Sequence, residues 1–349
     1  MDRSTNRSPD VVVIGAGMVG AACAYHCTSA GLRVTVVERG AIGGATTAAC
    51  EGNILLSDKE PGAELELALL SSRLWARTAQ ALGAERLEYQ EKGGVVVAAG
   101  AYYPQDCQVQ PVLATARLLR HAREHGATVL PGTAVTGFVR DSRGAVTGVR
   151  TDSAAAPLIP AGRVVNAAGT WGGELAGLAG VPLPILPRKG FILVTEPLPR
   201  VVRHKVYTAE YVANVTSGDA GLQTSVVVEG TRAGTVLIGA GRERVGFDRS
   251  VSLPVLRRLA AQAIGVFPLL AEVALLRSYL GFRPYCPDHL PVIGADPRAP
   301  GLLHACGHEG AGIGLSAATG HLIAQVITGA APDLDLTPFR PERFEETTV

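Results

Sequence analysis

Six residues, Gly15-Ala16-Gly17-Met18-Val19-Gly20, constrain this chain more than any other feature. They follow the buried-strand pattern Val11-Val12-Val13-Ile14 and open a stretch of small, helix-compatible residues that ends near Gly31. A second strand pattern, Val34-Thr35-Val36-Val37, closes at Glu38. A βαβ unit this short is parallel, because its crossover helix returns the chain to the same edge of the sheet. Glycine at these three places permits a tight turn, lets the backbone approach a pyrophosphate, and lets the helix pack on the strand. The helix N-terminus adds unpaired N–H groups and a partial positive charge for phosphates. Glu38, 23 residues after Gly15, stands where an acid accepts from ribose hydroxyls and disfavours the 2′-phosphate of NADP. The competing reading is a glycine turn in an α/β protein that holds no ligand.

Composition narrows the class. With 349 residues, one or two domains and a sizeable core are expected. Apolar residues make up 47% and charged residues 18%, which excludes a disordered chain. Lys+Arg 32 against Asp+Glu 31 leaves a net charge of +1, too even for a nucleic-acid or membrane-surface binder that relies on bulk attraction. The longest weakly polar run is expected at 11–25, short of the roughly 20 residues a membrane span needs, and the polar start Met1 to Arg7 is expected to leave no room for a signal peptide. Six cysteines without a Cys-x-x-Cys pair read as reduced cytoplasmic thiols, mostly small core fillers. Glycine, 42 residues, is in excess, which points to many tight turns and close backbone approach to a ligand.

Beyond the first unit, the turn at residues 43–47 is expected to enter another helix. Helices are expected at 64–82, with Leu67, Leu70, Leu74 and Ala81 on one face, at 112–125, at 253–264 and from about 313 to 327. Strands are expected at 95–97, two or three between 128 and 149, at 163–167, through most of 190–245, at 275–282 and at 302–306. The strand cluster 128–149 breaks the βαβ alternation that an NAD domain would continue. A second glycine cradle, Gly307, Gly310, Gly312 and Gly314, then precedes the last helix. A helix starting near Ile313 aims N–H donors at a group that gains negative charge, as the pyrimidine side of a reduced flavin does. The alternative for this cradle is a close-packed helix–strand turn. Cys23 and Cys27 are four apart without histidine partners, so no metal site is expected. No Gly-x-Ser-x-Gly elbow and no His-Glu-x-x-His helix occur.

Several stretches together resemble the D-amino-acid oxidase-like (DAO) superfamily of FAD-dependent oxidoreductases. They are Val13-Ile14-Gly15-Ala16-Gly17 with Glu38, Gly44-Ala45-Thr46-Thr47, Val165-Asn166-Ala167-Ala168-Gly169-Thr170-Trp171, Gly281-Phe282-Arg283-Pro284 with Asp288-His289-Leu290-Pro291-Val292-Ile293-Gly294, and Gly307-His308 with Gly312-Ile313-Gly314. They cover nearly the whole chain in the family's order. Cys50-Glu51-Gly52-Asn53-Ile54 and Tyr103-Pro104-Gln105-Asp106 are most similar to the flavin subunits of heteromeric dye-linked dehydrogenases, the D-hydroxyproline dehydrogenase β subunit and the hydrogen cyanide synthase flavoprotein among them.

The resemblance implies an α/β fold: a Rossmann-like FAD-binding domain of the glutathione-reductase type, with an inserted antiparallel-sheet substrate domain. It places the FAD-binding domain at 1–84, 103–182 and 282–335, the substrate domain at 85–102 and 183–281, and a tail at 336–349. FAD would be held by Gly15, Gly17, Gly20, Glu38, Arg39, Ala45, Thr46, Thr47, Val135, Ala168, Gly169, Trp171, Gly307, Gly310, Gly312, Ile313 and Gly314. Arg283 would bind a substrate carboxylate through its planar fork, against the alternative of an ordinary ion pair. His308 would tune the flavin or bind substrate, against the alternative of a packed core histidine. The implied activity is oxidation of a C–N bond in a small amino or imino acid, with electrons passed to partner subunits. One departure is clear: only Ala99-Gly100-Ala101-Tyr102 separates the strand 94–98 from the Tyr-Pro-Gln-Asp stretch, so the substrate domain is shortened. The rivals are a non-catalytic FAD-carrying scaffold, a stand-alone oxidase that uses oxygen, and an NAD-dependent reductase.

Overall fold

The computed structural model describes residues 8–97 and 100–345. The polar start, Ala98 and Ala99 of the shortened junction, and the last four residues of the tail lie outside the described residues. The chain opens with β1 (Val11–Ile14), α1 (Met18–Ser29) and β2 (Val34–Glu38). Next come β3 (Asn53–Ile54), α2 (Ala63–Leu82), β4 (Gly94–Val97), β5 (Ala101–Tyr103), β6 (Cys107–Gln108), α3 (Pro111–Glu124) and β7 (Thr128–Pro131). A meander of β8 (Val135–Arg140), β9 (Val146–Thr151) and β10 (Leu158–Pro160) precedes β11 (Arg163–Asn166) and α4 (Gly172–Leu178). The middle of the chain forms β12 (Leu186–Thr195), β13 (Lys205–Thr208), α5 (Ala209–Val215), β14 (Gln223–Gly230), β15 (Val236–Arg242), α6 (Leu253–Val266) and β16 (Leu275–Tyr285). It closes with β17 (Val292–Ala295), β18 (Leu302–Cys306) and α7 (Gly312–Thr328).

One sheet has the order β17-β18-β11-β1-β2-β7, parallel except for the edge strand β17. Val11, Val12 and Val13 are wholly buried because both faces of β1 are covered. Val11 and Val13 pack toward α1, α2, α3 and α7, while Val12 and Ile14 pack toward the meander and α4. The alternation of a strand thus splits one apolar run between two cores. A second sheet, β16-β12-β15-β14-β13-β4-β5, is antiparallel except where β13 runs parallel to β4. One face carries α6, with Phe191, Val226, Val228 and Ile238 beneath Leu259. Both arms of the shortened junction, β4 and β5, pair in this sheet, Gly94 opposite Tyr103.

Five expectations change. The turn at 43–47 leads only to a single 3-10 turn, Thr46–Ala49, because both threonine hydroxyls bond to distant backbone. On α2, Ala81 faces solvent and Thr78, Ala79 and Leu82 complete the buried stripe, since the stripe drifts around the helix over its 20 residues. The strand-rich middle contains a helix, α5. The strand cluster is two structures, for β7 joins the parallel sheet beside β2 and only β8 and β9 turn away with β10. The segment Glu309–Thr328 is long and apolar enough to cross a membrane by composition, a run longer than 11–25, but 56% of its window is buried in the protein. Gly320 sits so close to α1 that a Cβ there would lie 2.5 Å from the Ala22 carbonyl oxygen. The segment is a core helix.

Candidate active site

A single cavity begins at the C-terminal ends of β1, β2 and β11 and runs to the underside of the seven-stranded sheet. Crevices outside the carboxyl ends of parallel strands are where such sheets bind ligands. Of the expected cofactor residues, Gly15, Gly17, Glu38, Arg39, Ala45, Thr46, Thr47, Val135, Ala168, Gly169, Trp171, Gly310, Gly312 and Ile313 line it. Gly20, Gly307 and Gly314 do not. A Cβ on Gly20 would lie 1.9 Å from the Gly15 carbonyl oxygen, so Gly20 serves the packing of α1 on the turn. Gly307 holds a left-handed turn (φ 76°) after β18, and Gly314 abuts β3.

The cradle fits a dinucleotide on its own geometry. Gly15 has φ 108°, and a Cβ there would meet the Ala167 carbonyl oxygen at 2.5 Å. Glu38 accepts from the backbone N–H of Ala16 and of Gly40, both at 2.8 Å, so one carboxylate ties the glycine turn to the end of β2 while facing the cavity. Thr47 Oγ1 accepts from the Met18 N–H at 3.0 Å, capping α1 from a distance. Thr46 and Thr170 hydroxyls both donate to the Phe282 carbonyl at 2.7 Å. The threonines therefore fasten the cradle to β16, and they line the cavity from that position. Arg39 lies 4.0 Å over the Trp171 ring, which in turn stacks on Phe247. At the far side, α7 begins at Gly312 and directs its first N–H groups and positive dipole end toward the cavity.

The end beneath the seven-stranded sheet carries the charged chemistry. Arg283 reaches the cavity from β16 and donates from Nη1 to the Gly241 carbonyl at 2.9 Å, the one acceptor it meets among the described residues. Burial, and then the neighbouring Arg242, lower its pKa to about 10, so it stays charged at neutral pH. His308 is buried on the cavity wall, its Nε2 2.9 Å from the Thr319 hydroxyl. Burial pushes its pKa down to about 3, which makes it a neutral imidazole. Both readings of His308 thus have support, since it is packed and it also faces the cavity.

Three residues beside them were not singled out as site residues from the sequence. Tyr211 of α5 lines the cavity, its ring flanked by Arg242 at 4.8 Å and Lys205 at 5.5 Å. Glu309 adopts φ 45°, rare for a residue with a side chain, and lines the cavity between His308 and Gly310. Its carboxylate is gripped by wholly buried Arg188 and by His289 Nδ1 at 2.9 Å. Burial alone would raise its pKa, but the His289 hydrogen bond and the Arg188 charge hold it below the ordinary carboxylate range. Glu51, expected from its glycine turn either to face the flavin or to be merely solvated, is buried on the cavity wall, with Oε2 accepting from Asn53 at 2.9 Å. Glu309 had a sequence signal in its place inside the glycine cradle and Glu51 in its glycine turn, whereas Tyr211 had none.

Together, fold and site define a flavin-type dinucleotide-binding oxidoreductase with a second sheet over the reacting end of the cavity. The model of the FAD dependent oxidoreductase (DAO) family matches residues 10–101 and 96–326, and the chain belongs to that family. It is 29% identical to hydrogen cyanide synthase subunit HcnC of Pseudomonas aeruginosa, over 97% of each chain. That alignment runs over 424 positions, so the relative carries segments without counterpart here. It is 28% identical to glycine oxidase of the same organism, over 96% of this chain and 99% of that one. Among solved structures it resembles glycine oxidase from Geobacillus kaustophilus (TM-score 0.84, 25% identity, 96% and 98% covered). L-proline dehydrogenase from P. horikoshii shares the fold (TM-score 0.87, 23% identity, 98% and 99% covered). The protein is therefore an FAD-dependent oxidoreductase.

Proposed function

We propose that this chain oxidises the C–N bond of a small amino or imino acid and passes the electrons to a partner subunit. The observation that carries this reading is Arg283: a half-buried, charged fork in the flavin cavity whose remaining N–H groups meet no protein acceptor among the described residues. A planar guanidinium placed so binds a carboxylate in two-pronged fashion. Bound FAD supplies the hydride acceptor for the carbon that bears nitrogen. The chain's own residues position and shield. Arg283 fixes the carboxylate, the Tyr211 ring covers it, neutral His308 adds no charge, and Ile192 and Ala240 line the same end with apolar surface. Ionised Glu309 offers the negative potential that an ammonium or iminium nitrogen seeks.

We assign residues 1–84, 103–182 and 282–335 to FAD binding and 85–102 and 183–281 to substrate binding, with the boundary at 281/282 falling inside β16 so that Arg283 bridges the two. Amino-acid-linked relatives, glycine oxidase and L-proline dehydrogenase, support the substrate class. The subunit status of HcnC supports a partner, as does the short β4–β5 junction, which leaves Tyr102 exposed at a sheet edge. Six free cysteines support a reducing cytoplasm. The test is a panel of amino and imino acids assayed with a dye acceptor beside oxygen alone, on protein co-purified from its native host. Dye reduction by one class of carboxylate-bearing amine supports the reading. Rapid peroxide formation by the isolated chain would instead establish a stand-alone oxidase.

A further inference from the structure

A second cavity, about 390 Å³, opens on the seven-stranded sheet away from the flavin site. Its walls are the β12–β13 connection, with Arg200 and Arg203, and the β14–β15 turn, with Thr231, Arg232 and Gly234; Lys92 forms part of its lining. The walls are locked together. The Leu198 N–H donates to the Gly234 carbonyl at 2.9 Å, and a Cβ on Gly230 would lie 2.5 Å from the Val202 carbonyl oxygen. Lys92 is buried, with Nζ donating to the Gln108 side chain at 2.7 Å and to the Gly230 carbonyl at 2.6 Å, and its charge is offset by Glu229 at 3.2 Å. Gln108 in turn donates to the Glu51 carbonyl at 2.9 Å, so a hydrogen-bond chain runs from Lys92 in this cleft to Glu51 on the wall of the flavin cavity.

The charge on the walls is not offset in the same way. Arg232 meets Glu85, with both groups exposed to solvent, but neither Arg200 nor Arg203 meets a carboxylate among the described residues. In a chain whose net charge is only +1, two guanidinium groups without a carboxylate partner, beside a third on the same cleft, are a local excess. We propose that this cleft binds a phosphate-bearing small molecule. A carboxylate brings two oxygens and one charge, whereas a phosphate group brings three acceptor oxygens and nearly two charges, which matches several forks around one cleft. The volume falls within the usual range of small-molecule sites. Leu198, Val202 and Ala233 are its few apolar lining residues, so the body attached to the phosphate is polar.

The experiment uses the FAD-loaded protein, so that the dinucleotide cradle is already filled, and follows inorganic pyrophosphate by calorimetry. Saturable binding that weakens as salt rises is expected. The double variant Arg200→Gln/Arg203→Gln should lose at least tenfold in affinity with its flavin content unchanged, and Arg200→Lys/Arg203→Lys should recover part of the loss. Both arginines are exposed, so neither variant disturbs the core. Absence of binding at millimolar pyrophosphate, or equal binding by the double glutamine variant, overturns the proposal. So does preferential binding of hexaglutamate over pyrophosphate, which would mark the cleft as a surface for an acidic protein segment.

Discussion

At the residue scale, Arg283 and Glu38 carry the account, one at each end of the cavity. Arg283→Lys keeps the charge and loses the fork. The loss of a charged hydrogen bond, about 1.5–3 kcal/mol, should raise KM roughly ten- to a hundredfold while the flavin spectrum is unchanged. Gly190→Ala reaches the same group indirectly, because a Cβ there would lie 2.2 Å from Arg283 Nη1 and 2.5 Å from the Gly241 carbonyl oxygen. Steady-state kinetics should show the same rise in KM; an unchanged KM in both variants removes the clamp. Glu38→Ala removes a carboxylate that cross-links two cavity turns at 2.8 Å each, and should purify mostly without flavin. Full flavin occupancy in that variant would contradict the assignment. Glu38 and the glycines were readable from sequence because the turn admits few other residues. The pairing of Glu309 with Arg188 was not, since it joins positions 121 apart and only the folded chain brings them together.

Elements tell a similar story. The parallel strands β1, β2 and β11 were evident because burial on both faces makes them near-continuous β-branched runs, whereas the exposed edge strand β7 did not stand apart from β8 and β9. By contrast, α5 was hidden: Ala209–Val215 is seven residues long, is rich in Tyr and Val, and lies between strands, so its pattern does not separate from theirs. Tyr211 was lost with it. The 3-10 turn at Thr46–Ala49 was misread as a longer helix because nothing local reveals that its hydroxyls are committed elsewhere. The flavin-facing start of α7 depends on α2, where the Ser71 hydroxyl donates to the Gly314 carbonyl and accepts from the Ala318 N–H, and Trp75 Nε1 donates to the Ile313 carbonyl at 3.0 Å. Ser71→Ala leaves these buried groups short of partners. A loss of about 1–3 kcal/mol is expected, read as a lower thermal midpoint, together with weaker FAD retention. An unchanged midpoint would show that α7 is held by packing alone.

For the whole molecule, half-buried His26 and buried His308 contribute to the response to acid. Burial pushes the pKa values of His26 and His308 down to about 3, with the nearby His321 adding to the effect on His26. In the unfolded chain both return to about 6.5. Between those values the unfolded chain binds protons that the folded chain refuses. Their contribution to stability is therefore complete above pH 6.5 and is lost as pH falls toward 3, by up to about 1.4 kcal/mol per histidine per pH unit. Denaturant unfolding at pH 7.5 and 5.5 should show this loss, and His308→Gln should reduce it; an identical slope in the variant would mean that His308 titrates normally.

The most direct test of the central claim needs no acceptor at all. FAD-loaded protein, kept free of oxygen, is mixed with one amino or imino acid after another while the oxidised-flavin absorbance is followed. The account predicts that at least one carboxylate-bearing amine bleaches the flavin stoichiometrically, and that Arg283→Lys needs far more of it to do so. Flavin that dithionite reduces but no amine in the panel bleaches would contradict the account and leave the chain as an FAD-carrying scaffold.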